Sequence, residues 1–524
     1  MEIELKFQVP PDRRAALQRA VATAAVQRTR LRAIYADTAD DRLAAAGLAL
    51  RLRQEGRHWV QTLKGRGDGL MARLEHECRL PAVRGTPRLD PARHAGTAAG
   101  AVLARALGVA DLADPAAAAA LQPLYRTDIQ RLHRTVRHGG ARVEIALDLG
   151  EIVVDAAGDR PARRVPVCEI EFELLSGTPA ALVALAQRWV QRFGLWWDVR
   201  TKSERGWRLA RSRPQVPAVR AAHDALPAGA GPGEAWAAML QATLAHALPN
   251  AAELGADLQG AAPADAPARA DHVHQLRVAL RRLRTVLALF GAWGGDAEAA
   301  AALQQAWREP FNRLGATRDA DVLSGGIAAE LQAAGAPPLP DGIGRIAREG
   351  PDAVVRDPGF GALLLQTLAL SLAVPASPLP AASPAATHAV PLRDAAQAVL
   401  QQAWKQVRRD LQRFQTLPLP LQHRTRRRLK RLRYAWEFLQ GLWPRKGGKR
   451  WFKALAAALE VLGRYNDLCV AEAHFLAHSR SPAVAEPGAW FALGWLAAQR
   501  PLAERAAAER LSALVALPRP WRKD

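Results

Sequence analysis

Polar and apolar residues alternate with a period of two in "IELKF", "LALRLRQ", "HWVQTLK", "RLEHECRL", "ARVEIALDLG" and "VCEIEFELL", all before about Arg211. That is the pattern of half-buried antiparallel strands. Helical spacing interrupts it at Asp12 to Thr23, in the Ala-rich Ala98 to Leu121, and at Pro179 to Gly194. A Pro/Gly/Ala-rich stretch from Arg211 to Glu234 follows, and beyond it the spacing becomes helical and strand signals almost vanish. A second such stretch, Val374 to Pro391, divides this helical half. The pattern predicts an α+β domain over 1–210, a linker over 211–233, and an all-α region over 234–518. The all-α region is read as two repeats, about 234–373 and 392–518.

The two helical pieces resemble each other. "HQLRVALRRLR" begins at His274 and "HRTRRRLKRLR" at His423, both reading H-x-x-R-x-x-x-[RK]-R-L-R. "LGATRDADV" begins at Leu314 and "LGRYNDLCV" at Leu462. Two landmarks at nearly one offset, 149 and 148 residues, indicate an internal duplication of helical units. The repeated "RD" and "ND" pairs, with Asp319 and Asp467, read as turns that brace the basic helices locally.

Charge changes the picture. The 524 residues carry a formal +22 with a pI near 11.0, which predicts attraction to a polyanion. Residues 1–210 hold 33 Lys/Arg against 24 Asp/Glu and the rest 39 against 26, so the basicity is not one tail. The three cysteines lie far apart in sequence and suggest neither a disulfide framework nor a thiolate metal site. The first residues read as a strand rather than a leader, and Phe360 to Pro375 is too short to span a bilayer. The expectation is a cytoplasmic protein with no membrane partner.

Strand periodicity sorts the charges by face. Glu2, Glu4 and Lys6 share one, as do Arg51 and Arg53, Arg73, Glu75 and Glu77, Glu144 and Asp148, and Glu169, Glu171 and Glu173. Lys64, Arg131 and Lys202 add cations at strand-like or loop positions. Such faces are commonly solvated, but acids repeated at i, i+2 repel unless a cation neutralises them. Hard divalent cations take carboxylate oxygens and keep phosphates as further ligands, while Arg and Lys hold phosphate oxygens. A closed barrel with carboxylates on one side and guanidinium groups on the other would bind a metal–polyphosphate complex.

The opening "EIELK" resembles the ExExK signature of the CYTH superfamily, the triphosphate tunnel metalloenzymes. The resemblance continues in order through "LRLR", "TLKG", "RLEHE", "RTDIQR", "VEIALDLGEI", "CEIEFELLSG" and "TKSERG". It implies an eight-stranded antiparallel barrel enclosing a tunnel where triphosphates are hydrolysed with Mg²⁺ or Mn²⁺. Forms fused to a helical partner resemble bacterial inorganic triphosphatases. Carried over, Glu2 and Glu4 match the metal-binding pair, and Lys6, Arg51, Arg53, Lys64, Arg73 and Arg131 the phosphate-holding cations. Lys202 matches a lysine at the domain's C-terminal end. Glu169 and Glu171 match acids that hold a second metal and orient water, and Glu75, Glu144 and Asp148 further tunnel acids. Which of Glu169, Glu171 and Glu173 touches metal stays open. Within the family, thiamine-triphosphatase, nucleoside-triphosphatase or adenylate cyclase activity is the alternative to tripolyphosphate hydrolysis.

In the helical half, His274, Arg277, Arg281 and Arg284 fall on one face, with Leu276, Leu280, Leu283 and Leu287 as a neighbouring apolar stripe. His423, Arg426, Lys430 and Arg433 repeat this, backed by Leu429, Leu432, Trp436 and Leu439. Between Trp404 and Lys453 there are 16 Lys/Arg against only Asp410 and Glu437, too few acids to neutralise the run. These helices resemble the signatures of CHAD domains (conserved histidine α-helical domains), with Thr425 replacing an apolar residue in the second copy. The resemblance implies that inorganic polyphosphate lies against His274, Arg277, Arg281, Arg284, His423, Arg426, Lys430 and Arg433. Association with polyphosphate granules would follow, and a polyphosphate-binding protein without catalysis is the contrasting reading. A nucleic-acid partner is supported by charge alone, since no aromatic platform interleaves the arginines.

Overall fold

The computed structural model describes residues 2–67, 69–81, 85–156, 158, 160–213, 215–222, 226–227, 229–256, 266–322, 326–339, 350–373, 390–479 and 487–521. The linker stretch around Val374 to Pro391 lies almost wholly outside them. Nine strands come first: β1 (Glu2–Gln8), β2 (Gln27–Asp37), β3 (Ala49–Glu55), β4 (His58–Arg66), β5 (Ala72–Arg79), β6 (Gln122–His138), β7 (Ala141–Val154), β8 (Arg163–Ser176) and β9 (Trp196–Trp197). They are interleaved with α1 (Arg14–Val21), α2 (Arg42–Ala45), α3 (Ala98–Leu107), α4 (Pro115–Ala119), α5 (Pro179–Phe193) and α6 (Lys202–Ala210). Helices alone follow: α7 (Pro232–Leu254), α8 (Ala266–Phe290), α9 (Ala297–Ala306), α10 (Arg308–Val322), α11 (Ala328–Ala333), α12 (Pro351–Arg356), α13 (Pro358–Ala373), α14 (Leu392–Gln412), α15 (Leu419–Leu439), α16 (Arg445–Ser479) and α17 (Pro487–Ala516).

The strands pair antiparallel in the order β5-β4-β3-β2-β6-β7-β8-β1, and β1 pairs again with β5, closing an eight-stranded barrel with β9 appended to β1. Closure removes the open edges that a sheet would otherwise present. Alternation in the sequence named six of these strands. β2 and β6 were not read from it, because their buried positions fall on both faces and blur the period. Outward residues are apolar and covered: Leu43, Leu48, Leu50 and Leu63 pack with Ala99, Leu103 and Leu107 of α3. Helix α3 is capped as its sequence dictates, with the Thr97 hydroxyl accepting from the Gly100 amide and Gly108 at φ 73° ending it.

Helix α6 fills one end of the barrel. Its Trp207, Leu209 and Ala210 pack against Leu31, Ala33, Tyr35, Tyr125, Ile129, Ile152 and Val167, which share the inward parity of the tunnel charges. Gly206 is required there, since a Cβ would lie 2.2 Å from the Tyr125 ring, and the Tyr125 hydroxyl donates to the Ser203 carbonyl at 2.9 Å.

The chain divides into two compact units. One comprises residues 1–219, 247–272 and 355–369, the other residues 220–246, 273–354 and 370–524. In the first, Arg208 of α6 is buried and pairs with Glu253 at 2.8 Å, while His272 is held by Asn250 and by the Val216 carbonyl, each at 3.0 Å. In the second, α16 and α17 bury Leu468, Phe475, Ala492 and Leu496 together with Leu331 of α11. The stripes Leu276/Leu280/Leu283/Leu287 and Leu429/Leu432/Trp436/Leu439 are core, each residue no more than 2% exposed. Thr425 is buried with its hydroxyl donating to the Leu421 carbonyl at 2.9 Å, so the polar substitution is satisfied within its own helix. The repeated Asp319 and Asp467 are not in turns: both lie inside helices, α10 and α16. The next prolines, Pro337 and Pro482, lie 18 and 15 residues beyond these aspartates, and the Asp319 side chain lies outside the described residues.

Candidate functional site

The inward charges of the barrel are stacked in levels along its axis by strand register, rather than separated by sign onto two walls. Nearest α6, Arg131 opposes Asp148, Asp148 opposes Glu169, and Glu169 opposes Gln8. One level on, Glu171 opposes Lys6; the next row is Glu144, Glu173 and Glu4. Glu2 opposes Arg73, and Lys64 opposes Glu75, toward the far end.

At the α6 end the charges balance. Arg131 donates to both oxygens of Asp148 at 2.7 Å and to Glu171 at 2.5 Å. The Lys202 ammonium lies 2.7 Å from Asp148, 2.5 Å from Glu169 and 2.9 Å from Glu171, and Arg205 reaches Glu169 at 3.0 Å. Burial would lift the carboxyl pKa values, but Arg131 and Lys202 hold Asp148 below its ordinary range and Glu171 well below it. Burial would likewise discharge Lys202, but the three acids keep it firmly protonated. Lys202, read from sequence as a strand-like or loop cation, is the first residue of α6, after the cap in which the Thr201 hydroxyl accepts from the Glu204 amide.

At the far end acids are in surplus. Lys64 pairs with Glu2 and Glu75, each at 2.9 Å, Arg73 with Glu4 at 3.2 Å, and the His133 ring nitrogen lies 3.1 Å from Glu144. Glu173 has no ion-pair partner among the described residues. Burial, Glu2 and Glu144 push its carboxyl up to about 7. Burial and the neighbouring Glu2 raise Glu75 to about 8, while Glu2, despite burial, falls to about 2 beside Glu75 and Lys64. Like charges directly opposite destabilise a sheet, so the Glu144/Glu173/Glu4 row fits a bound cation. Hard divalent ions match this all-oxygen donor set.

Between these ends stand the remaining cations. Arg51 donates to the Tyr35 hydroxyl at 3.1 Å, and Arg53 pairs with Glu55 and, at 3.0 Å, with Glu77. Lys6 is nearly buried, and its ammonium donates to the Arg200 carbonyl, in the loop fixed by the Arg200–Asp198 pair at 2.7 Å. The structure therefore brings together every tunnel residue singled out from the sequence. Tyr35, His133 and Arg205 are additional; Arg205 sits inside the "TKSERG" motif, whereas Tyr35 and His133 lie on the two strands whose alternation is blurred.

A second convergence lies outside the tunnel, where His76, Cys78 and His94 approach one another closely enough to share an ion. Its hydrogen bonds assign it otherwise. The Gln61 amide is fixed by accepting from the Asp90 N–H at 2.9 Å and donating to the Asp90 carbonyl at 2.8 Å, so it presents N–H to His94 Nε2 at 3.0 Å. The His94 proton is thus on Nδ1, donated to His76 Nδ1 at 2.9 Å. Burial, with His76 beside it, lowers His94 to about 4, and the neutral ring serves as a strut tying β4 and β5 to the segment before α3.

In the helical unit the two basic stripes converge. Arg277, Arg281 and Arg284 of α8 stack around the Phe311 ring at 4.7, 5.9 and 5.4 Å. Burial lowers the Lys430 ammonium to about 6, helped by Arg281 and Arg426. Burial lowers Arg284 too, with Arg431 and Arg308 beside it; neither of these was singled out from the sequence. His423 Nδ1 meets Asn466 Oδ1 at 3.0 Å, and His274 is half-buried on α8. Arg433 is bound to Glu437 at 2.8 Å, which also takes Arg282 at 3.0 Å, so one carboxylate answers two arginines. In the duplicated "LG" the first glycine leaves space for an arginine, since a Cβ on Gly315 would lie 2.6 Å from Arg277, whereas one on Gly463 would make an ordinary contact with Arg426 at 3.7 Å.

Among known proteins, residues 1–195 match the family described as the CYTH domain and residues 238–476 the CHAD domain, and both domains are present in this chain. An inorganic triphosphatase of Haemophilus influenzae is 29% identical over 215 residues, 40% of this chain; the match spans about half, 54%, of that relative's length. A crystal structure of the CHAD domain from the plant Ricinus communis is 28% identical, covering 58% of this chain and 98% of its own, with a TM-score of 0.43. A Hippeastrum protein named for adenylyl cyclase and for a dominant triphosphatase activity is 18% identical over 40% of this chain and 96% of its own, with a TM-score of 0.28. No helix among the described residues is long and apolar enough to cross a membrane.

Proposed function

We propose that this chain, a CYTH domain followed by a CHAD domain, hydrolyses inorganic tripolyphosphate to pyrophosphate and phosphate in the barrel and holds long-chain polyphosphate on the helical unit. The observation that carries the reading is the polarity of the tunnel: an acid row with unmatched charge at one end, and cations reaching inward between it and α6. The name of the Haemophilus relative supports it.

Glu2, Glu4 and Glu173 would hold Mg²⁺ or Mn²⁺, with Glu144 alongside. When bound, such an ion withdraws charge from phosphate oxygens as the leaving pyrophosphate develops it. The protein's own groups do the rest. Arg51, Arg53, Lys64, Arg73 and Lys6 present fixed N–H donors to phosphate oxygens, exchanging their carboxylate and carbonyl partners for the substrate. Tyr35 orients Arg51 from behind. Glu171, held ionised by Lys202 and Arg131, accepts a hydrogen bond from water near the scissile phosphate and orients it for attack. Helix α6 closes the apolar end, keeping the reacting centre away from bulk solvent.

Phosphate release from tripolyphosphate, ATP and long-chain polyphosphate, with Mg²⁺ or Mn²⁺, tests this in wild type and Glu4→Gln. Metal-dependent release from tripolyphosphate should fall on the order of 100-fold or more in the variant, the scale seen on removing one preorganised catalytic group. Full metal-dependent release by Glu4→Gln would overturn the acid-row assignment. No release from any substrate, with polyphosphate still bound, would leave the polyphosphate-binding reading.

A further inference from the structure

The two ends of the tunnel both gather carboxylates, yet they differ in what already neutralises them. Asp148, Glu169 and Glu171 converge closely enough to hold one ion. Asp148 and Glu169 are wholly buried, and Lys202 contacts all three within 2.9 Å. With Arg131 and Arg205 the group is three carboxylates against three cations. A divalent ion added there would leave two positive charges uncompensated in a buried site, which the loss of hydration disfavours. The Glu144/Glu173/Glu4 row has the opposite imbalance.

Resting on the metal-dependent reading above, we infer that the Lys202 ammonium stands where a second metal ion would sit among Asp148, Glu169 and Glu171. The tunnel then takes a single divalent cation, at the Glu2/Glu4/Glu173 end. Lys202 is well suited to this role. An ammonium is a compact point charge able to donate to three acceptors. At the first residue of α6 it opposes the helix dipole, a placement that is unfavourable unless acids answer it. Its backbone is set by the Thr201 cap and by Gly206 seated on Tyr125, so the charge is delivered from a rigid helix. The fold expectation of two metal-holding acid sets is thereby reduced to one.

The test is Mn²⁺ binding to the full chain without phosphate, counted by electron paramagnetic resonance and calorimetry, in wild type, Lys202→Met and Lys202→Arg. Wild type and Lys202→Arg should bind the same number of tight ions, and Lys202→Met one more. Lys202→Met should also gain more melting temperature from Mn²⁺ than wild type, because a newly bound ion stabilises by mass action. If Lys202→Met fails to fold, the wild-type count decides: two tight ions, one lost in Glu171→Gln, would overturn the inference. An unchanged count in a folded Lys202→Met would overturn it too. The acid-row reading fails separately, by wild type binding no ion that Glu4→Gln removes.

Discussion

Both halves of the chain concentrate cations, but the barrel meets its own with acids at close range while Arg281 and Arg284 of the helical stripe gather on an aromatic ring. Arg131 and Lys202 meet Asp148, Glu169 and Glu171 at 2.5 to 2.9 Å, whereas Arg281 and Arg284 have no ion pair among the described residues and share one aromatic ring. The barrel therefore stores its electrostatics as exchangeable pairs, ready before any ligand arrives. At Arg281 and Arg284 the helical stripe holds charge that a bound polyanion would relieve.

Removing one cation from each side breaks or sharpens the contrast. Arg131→Met leaves Asp148 buried beside an uncompensated pair and should cost about 3–5 kcal/mol, lowering the barrel's melting transition on the order of 10 °C. Arg284→Met removes a charge repelled by Arg431 and Arg308 and should leave thermal stability unchanged or slightly raised. The same variant should weaken polyphosphate binding and reduce its salt dependence, as loss of a phosphate contact does. Equal destabilisation by the two variants would show that the stripe is as internally paired as the barrel.

What the sequence disclosed follows the same division. Parity along each strand placed Glu2, Glu4, Arg51, Glu75, Asp148 and Glu171 on inward faces, because a period of two survives closure into a barrel. It could not disclose which acids meet, since register sets Glu4 opposite Glu173 and Lys6 opposite Glu171 from strands distant in sequence. Nor could it show that Glu437, four residues from Arg433 and far from Arg282, takes both. In the helices the 3.6 period exposed the stripe, and the duplication predicted its partner. The reading of Asp319 and Asp467 as turn residues failed because short polar residues favour turns only where the helix has somewhere to stop.

A smaller effect separates the halves by pH. Lys430 is lowered to about 6 from an ordinary 10.5. Between those values the unfolded chain binds more protons than the folded one at this residue, so its contribution makes stability rise with pH across that window and flat below it. A polyphosphate chain beside the ammonium favours the charged form. Binding at pH 7 should then take up close to one proton, and affinity should strengthen as pH falls from 8 toward 6, by less than about tenfold per unit. Calorimetry in buffers of different ionisation enthalpy measures the uptake, and Lys430→Met should abolish it. Uptake that survives in Lys430→Met would place the titration elsewhere in the stripe.

The finest contrast lies between the two copies of the stripe. Gly315 and Gly463 occupy matching places in α10 and α16, and each faces an arginine, but the clearance for a Cβ differs by about an ångström: 2.6 Å to Arg277 against 3.7 Å to Arg426. At 3.7 Å an added methyl is in ordinary contact, so Gly463→Ala should gain helix propensity, about 0.5–1 kcal/mol, and leave polyphosphate binding intact. At 2.6 Å the methyl must push the Arg277 guanidinium off the Phe311 face and away from the Phe311 carbonyl it reaches at 3.2 Å. Gly315→Ala should therefore show little net stabilisation and a measurable loss of polyphosphate affinity. Thermal melts and binding curves for both variants decide it: identical behaviour would mean the copies are interchangeable, whereas the expected asymmetry assigns the tighter, more rigid arginine to the first.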